Sequence, residues 1–262
     1  LRIEDPMNRL AAFARTDLGP GLVRAGRFAL DLVLPPQCLS CQAAVVEPGH
    51  LCGSCWAAID FLDGPCCSTC GLPFETPELD GALCGACTRD TPAFTRARAV
   101  MRYTDASKGL ILRLKHADRH EGVDAFGKWM ARAGAGFLSD VDVITAVPLH
   151  RLRLLRRLYN QAAMLAMALA EETEIPADPM ILERVRRTPS QGGLSRRQRR
   201  HNVAGAFRVR PGHEACIEGR NVLVIDDVMT TGATVEACAR TLKRSGAARI
   251  YVLTLARVVR AN

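Results

Sequence analysis

Two sets of residues in this 262-residue chain are typed and spaced for chemistry. One is a pair of adjacent acids, Asp226 and Asp227, at the end of the apolar run in VLVIDDVMTTGAT, Val222–Thr234. Burying charge without partners is costly, so two carboxylates at the end of a buried run imply a ligand that supplies them. Thr230, Thr231, Gly232, Ala233 and Thr234 follow and lead into a helix. Amides and hydroxyls there can surround a phosphate at the helix N-terminus. Acids that accept from ribose hydroxyls beside such a cradle describe a ribose phosphate. An apolar strand ending in two acids also fits the metal-binding strand of an NTPase, but that requires a phosphate loop. The nearest match, Gly122 to Trp129, has tryptophan where the Mg2+-binding Ser or Thr belongs and follows no apolar strand, so it is set aside.

The second set is cysteine. Nine of eleven cysteines fall between Cys38 and Cys87, with four C-x-x-C pairs: Cys38/Cys41, Cys52/Cys55, Cys67/Cys70 and Cys84/Cys87. Two such pairs complete a tetrahedral four-sulfur shell for zinc, so eight ligands imply two ions. Sequential pairing gives one site from the first two pairs and another from the last two; a cross-braced arrangement would exchange them. Either way every position is a thiolate and no coordination site is open, which makes both zincs structural. A redox or disulfide cluster is the competing reading, disfavoured by the regular spacing. Gly53, Gly71 and Gly85 beside the pairs suggest positive φ, predicting turns and not helices there. Cys66 has the wrong spacing and reads as a spare thiol, with its promotion over Cys67 the alternative register. Cys216 and Cys238 stand alone and read as ordinary small residues. Few large apolar residues lie in this region, so metal supplies much of its folding free energy.

These groups must be carried by a scaffold. From Ala99 onward the texture is that of an α/β sheet, with strands expected at Val141–Val147, Val222–Ile225 and Ile250–Leu255 and helices at Gln161–Glu171 and Thr234–Ser245. Ligands of such sheets gather at the carboxyl ends of the strands, where Asp226 and Asp227 fall. No apolar run approaches the roughly 20 residues of a membrane span and no signal-peptide pattern is present, so a cytoplasmic location without membrane insertion is expected. The net charge of +8 favours phosphate-bearing partners. Arg184 to Arg210 holds nine arginines and no acid, a solvated surface or a phosphate-contacting segment.

VLVIDDVMTTGAT resembles the phosphoribosyl diphosphate (PRPP) motif of type I phosphoribosyltransferases. More narrowly, LVLPPQCLSC, GPCCSTCG, AVPLH, Asn160-Gln161 and TPSQGGLSRRQRRHNVAGAF, taken with that motif, resemble the ComF family, competence-protein relatives that join a double zinc ribbon to a phosphoribosyltransferase domain. The likeness implies a helical leader over residues 1–34, a double zinc ribbon over 35–92 and, over 93–262, a type I phosphoribosyltransferase-like parallel sheet flanked by helices. It implies that Asp226 and Asp227 hold the ribose hydroxyls and Thr230–Thr234 the 5-phosphate, while Pro148, Leu149 and His150, with Arg156 and Arg157, form the pyrophosphate loop. Where the family carries a glycine before the aromatic-Asn-Gln triplet, this chain has Leu158. Thr188–Phe207 corresponds to a segment that closes over the site, hinged at Gly192 and Gly193, whose Arg196, Arg197, Arg199 and Arg200 meet pyrophosphate or a nucleic-acid backbone. Lys115 is a further candidate to approach pyrophosphate. The implied cofactors are two zincs and Mg2+ with PRPP. Two function classes follow: a phosphoribosyltransferase with a nitrogen acceptor, and a single-stranded-DNA-binding accessory protein of DNA uptake. A helicase or competence-machinery protein is the implied protein partner.

Overall fold

The computed structural model describes residues 35–76, 81–114, 122–149, 159–186, 188 and 195–259; the expected leader over 1–34 lies outside them. Four parallel strands, β1 (Arg96–Arg102), β2 (Val143–Ala146), β5 (Asn221–Met229) and β6 (Arg249–Arg257), form one sheet in the order β1-β6-β5-β2. A short antiparallel pair, β3 (Leu182–Arg184) and β4 (Phe207–Val209), stands apart. The helices are α1 (Gly53–Ala58), α2 (Gly85–Arg89), α3 (Asp105–Leu114), α4 (Val123–Gly134), α5 (Gln161–Thr173), α6 (Arg196–Val203) and α7 (Ala233–Arg244).

Both faces of the sheet are covered, which is why its strands read as near-continuous apolar runs. Ile144, Leu223, Ile225 and Leu253 pack into one core with residues of α3, α4 and α5. Their neighbours Val143, Val222, Val224 and Val252 pack into another with α7 and the β3–β4 pair. The expected elements are present with shifted ends. Asp142 N–H and Val147 N–H donate to Asn221 and Ile225 just outside β2, so pairing extends one residue past each end, while Val141, the expected first residue, closes a turn on Leu138. The largest difference is in β5, expected to stop at Ile225. It continues through both acids to Met229, because β6 is equally long and pairs with it as far as Arg257.

The set-aside Gly122–Trp129 match forms the start of α4 and no phosphate loop. Gly127 is where α4 crosses α5: a Cβ there would lie 2.8 Å from the Ala168 carbonyl oxygen. Among the described residues no helix is long and apolar enough to cross a membrane.

The cysteine-rich region closes the β1 edge of the sheet. Leu62 N–H donates to Val100, Arg102 N–H to Asp60 and Ala97 N–H to Thr69, while Phe61 bridges antiparallel to Met101. An open edge strand invites pairing with another chain, and these contacts remove that opportunity. Trp56, Phe61, Trp129 and Phe126 then pack ring against ring at centroid distances of 4.6 to 5.8 Å, joining the region to α4.

Two glycine substitutions separate helix propensity from packing. Gly109→Ala on α3, where a Cβ meets nothing within 4 Å, is expected to stabilise by about 0.5–1 kcal/mol. Gly127→Ala is expected to destabilise by about 1–3 kcal/mol despite the same propensity gain, since the clash is with backbone. Urea unfolding of the two variants checks both signs.

Candidate functional site

The eight paired cysteines form two clusters in sequential order, Cys38/Cys41/Cys52/Cys55 and Cys67/Cys70/Cys84/Cys87, with the ligand atoms of each within 4.8 Å of one another. All are free thiols, and Cys66 lies outside the second cluster. The two clusters repeat one wiring pattern. Cys38 Sγ accepts from Cys52 N–H at 3.2 Å, and Cys67 Sγ from Cys84 N–H at 3.3 Å. Cys38 N–H donates to Ala43, and Cys67 N–H to Leu72. Four residues after the first cysteine the backbone turns left-handed in both, at Gln42 (φ 68°) and Gly71 (φ 67°). Only the second position requires glycine for space, because a Cβ on Gly71 would sit 2.5 Å from the Ala97 carbonyl oxygen of β1.

The predicted turns at Gly53 and Gly85 are instead the first residues of α1 and α2, with Cys52 and Cys84 as N-caps. Cysteines three apart at the start of a helix lie on one face, so a single turn aims both sulfurs at one point. The interior of the second ribbon is mostly its own ligands, Cys67, Cys84 and Cys87, with Cys70, Leu72 and Phe74 against them.

The donor sets fit structural zinc. In the first cluster, the Ser54 hydroxyl and Cys55 N–H hold Cys52 down to about 6, while burial pushes Cys55 up to about 12. In the second, burial opposes ionisation of Cys67, but N–H groups of Cys70, Cys84 and Thr69 outweigh it and bring the thiol to about 7. Burial pushes Cys70 up to about 11 against the pull of Leu72 N–H and Arg257, and pushes Cys87 up as well. Four thiolates cannot crowd together without a cation; with Zn2+ the group carries two net negative charges. Two arginines answer those charges at the second cluster. Arg98 Nη1 donates to the carbonyls of Cys67 and Ser68, and Arg257 Nη1 donates to Cys70 at 2.5 Å. Arg257 is only 6 % exposed, and its Nε is buried with no hydrogen-bond partner among the described residues. A buried guanidinium in that position fits a neighbouring anionic metal centre.

Asp226 and Asp227 sit where β2 stops. Ala146 pairs with Ile225, and from Asp226 onward β5 pairs with β6 alone among the described residues. Asp227 N–H donates to Asp226 Oδ1 at 2.9 Å and Val228 N–H to Asp227 Oδ1 at 2.7 Å, fixing both half-buried carboxylates to the backbone. Gly232 turns left-handed at φ 77° as the N-cap of α7, and no side chain caps that helix. Thr231 Oγ1 is buried with no hydrogen-bond partner among the described residues. Arg199, on α6, donates from Nη1 to Thr230 Oγ1 at 2.7 Å. The capping box of Ser195 with Gln198 holds the start of α6. Asn160 Nδ2 donates to the Val147 carbonyl at 3.1 Å while its Oδ1 accepts from Ala162 N–H, tying the end of β2 to the start of α5.

The structure thus brings together Asp226, Asp227, Thr230, Thr231, Gly232, Ala233, Thr234 and Arg199, with Pro148 and Leu149 on the segment that leaves β2. It places Arg200 differently: its Nη2 pairs with Asp90 at 2.7 Å, beyond α2. His150, Lys115, Arg156, Arg157, Gly192 and Gly193, and the side chains of Arg196 and Arg197, lie outside the described residues. Arg98, Arg257 and Asn160 are the site-related residues that spacing alone does not single out as partners. A buried arginine at the end of an apolar strand, as in TLAR at Thr254–Arg257, is the one signal that could have pointed to Arg257.

Two domain models match separate stretches of the chain. The double zinc ribbon domain model matches residues 29–88, and the phosphoribosyl transferase domain model matches residues 159–260. The DNA utilization protein YhgH of Salmonella typhimurium is 34% identical over 235 residues, covering 87% of this chain and 100% of that protein. Competence protein F of Haemophilus influenzae is 29% identical, with 84% of this chain and 96% of that protein covered. Competence protein ComFC of Bacillus subtilis is 27% identical, with 79% and 84% covered.

Cys84→Ser is expected to lower zinc content by one ion per chain and to speed amide exchange at Ala97, whose N–H bonds to the ribbon. Elemental analysis with hydrogen exchange measures both. Unchanged zinc would show that this cluster does not hold the metal.

Proposed function

This chain belongs to the ComF family, and on that premise we propose that it binds PRPP with Mg2+ beside Asp226 and Asp227 and transfers the phosphoribosyl group to a nitrogen acceptor. The observation that carries the reading is the conjunction at the end of β5. Two backbone-held carboxylates, a helix N-terminus that no side chain caps and a buried Thr231 hydroxyl with no partner among the described residues converge there. The carboxylates accept from the ribose 2- and 3-hydroxyls. The Thr230–Thr234 loop receives the 5-phosphate, whose charge is favoured by the α7 dipole.

Hard carboxylate oxygens suit Mg2+, which supplies charge neutralisation on the departing diphosphate. The protein's contribution is position and charge. It holds the ribose so that the bond from the anomeric carbon to diphosphate breaks as the bond to the acceptor nitrogen forms, and the acceptor's proton is released. Arg199 links the arginine-rich excursion to the phosphate loop through Thr230 and brings a cation to the anion's side of the site.

A second reading, contact with a single-stranded nucleic-acid backbone, has one observation in its favour. The pairs Arg200–Asp90 and Arg240–Glu236 sit on the surface of α6 and α7, with both arginines more than half exposed. The Arg200–Asp90 pair, about half exposed on both sides, is worth about 0–1 kcal/mol, so a phosphate can compete for that guanidinium. The names of the relatives, in DNA utilization and competence, support an association of this chain with DNA uptake.

Calorimetry with PRPP and Mg2+ tests the first reading. Wild type is expected to bind, and Asp226→Ala/Asp227→Ala to lose at least about tenfold in affinity, the value of one hydrogen bond to a charged group. No heat with wild type would sink it. Arg199→Ala is expected to weaken PRPP binding by about tenfold while leaving the melting temperature within a few degrees of wild type. An unchanged affinity would remove Arg199 from the site.

A further inference from the structure

Away from both cysteine clusters and from Asp226 and Asp227, three potential metal donors of different kinds converge. Asp178, His213 and Cys216 place ligand atoms within 4.8 Å of one another. Asp178 Oδ2 and His213 Nδ1 are 2.8 Å apart. The surrounding backbone fixes each donor. Asp178 N–H donates to Ile144 of β2, and Met180 N–H holds Asp178 Oδ1 at 2.8 Å, turning the other oxygen toward the histidine. His213 N–H donates to Arg210, and Cys216 N–H to His213, so a single tight turn carries both donors. Ile217, fully buried, anchors that turn, and Arg210 N–H joins it to the Ile181 carbonyl on the Asp178 side.

We propose that Asp178, His213 and Cys216 form a third metal site, which takes Zn2+ with water as fourth ligand. The donor set decides the ion. Thiolate and imidazole select a borderline-soft cation, and one carboxylate with one thiolate neutralises it, so no buried arginine is needed as it is at the second cluster. All three residues are half-buried, with the His213 and Asp178 side chains 26 % and 33 % exposed, which leaves solvent access for the fourth position. The metal takes the place of the hydrogen bond between Asp178 Oδ2 and His213 Nδ1. His213 then binds as the neutral imidazole through Nδ1, its one ring proton passing from Nδ1 to Nε2 by exchange with solvent, and the Cys216 thiol gives its proton to solvent. The Met180 amide stays on the carboxylate and keeps it oriented.

The location gives the site a role. Asp178 precedes β3 and His213 follows β4, 35 positions later, so the metal clips together the two ends of the excursion that carries α6 and Arg199. Closing a long loop at its base removes freedom from the whole excursion.

The test is zinc stoichiometry of the full chain after equilibrium dialysis against buffered micromolar Zn2+. Wild type is expected to hold three zincs, two in the cysteine clusters and one here. His213→Ala and Cys216→Ser are each expected to hold two, and His50→Ala, which removes an exposed histidine elsewhere, to hold three. Retention of two zincs shows that each variant is folded. Replacing Zn2+ with Co2+ should give a thiolate-to-cobalt absorption component that Cys216→Ser abolishes. Two zincs in wild type, or three retained in both site variants, would overturn the proposal.

Discussion

The parallel ladder between β5 and β6 continues beyond the point where β2 ends, and both functional regions depend on that mismatch. On one side, β5 runs past the last residue of β2 that pairs with it, and Asp226 and Asp227 lie on that extension. On the other, the same extension carries Arg257 to the end of β6, opposite Met229, where its guanidinium reaches Cys70. Shortening the ladder would remove the acids' setting and the metal cluster's counter-charge together. The two regions share one structural cause.

The ribbon region shows how little apolar core a metal-bound module requires. Few of its large side chains gather into a core of its own: Leu72 and Phe74 lie against the second set of cysteines, while Ile59 and Phe61 pack against the α/β body and Trp56 is 46 % exposed beside them. What remains inside the second ribbon is mostly sulfur. Coordination replaces the core in that module, and the apolar residues are released to bind it to the sheet edge.

Much of this arrangement was legible in the residues. C-x-x-C spacing specifies chelation within a pair, and the apolar run before the acid pair, with the threonine-glycine loop after it, specifies a strand that leads through a tight turn into a helix. Other features were hidden for physical reasons. Spacing cannot say which cysteine pairs share an ion, because that depends on how separate turns meet in space; only the folded chain shows the order sequential. Glycines at 53 and 85 suggested positive φ, but helix starts also tolerate glycine, and both residues open short helices. The reach of β5 depended on the length of β6, a partner not adjacent in sequence. Cys216 read as an ordinary small residue because Asp178 lies far away in sequence and only tertiary packing brings it to the His213 turn.

The aromatic contact between ribbon and body has a consequence for observation. The chain's two tryptophans, Trp56 on α1 and Trp129 on α4, meet across that junction with ring centroids 5.8 Å apart. No other tryptophan contributes background. The tryptophan emission of the unmodified protein is therefore a private optical channel for one event, the seating of the metal-bound module on the sheet.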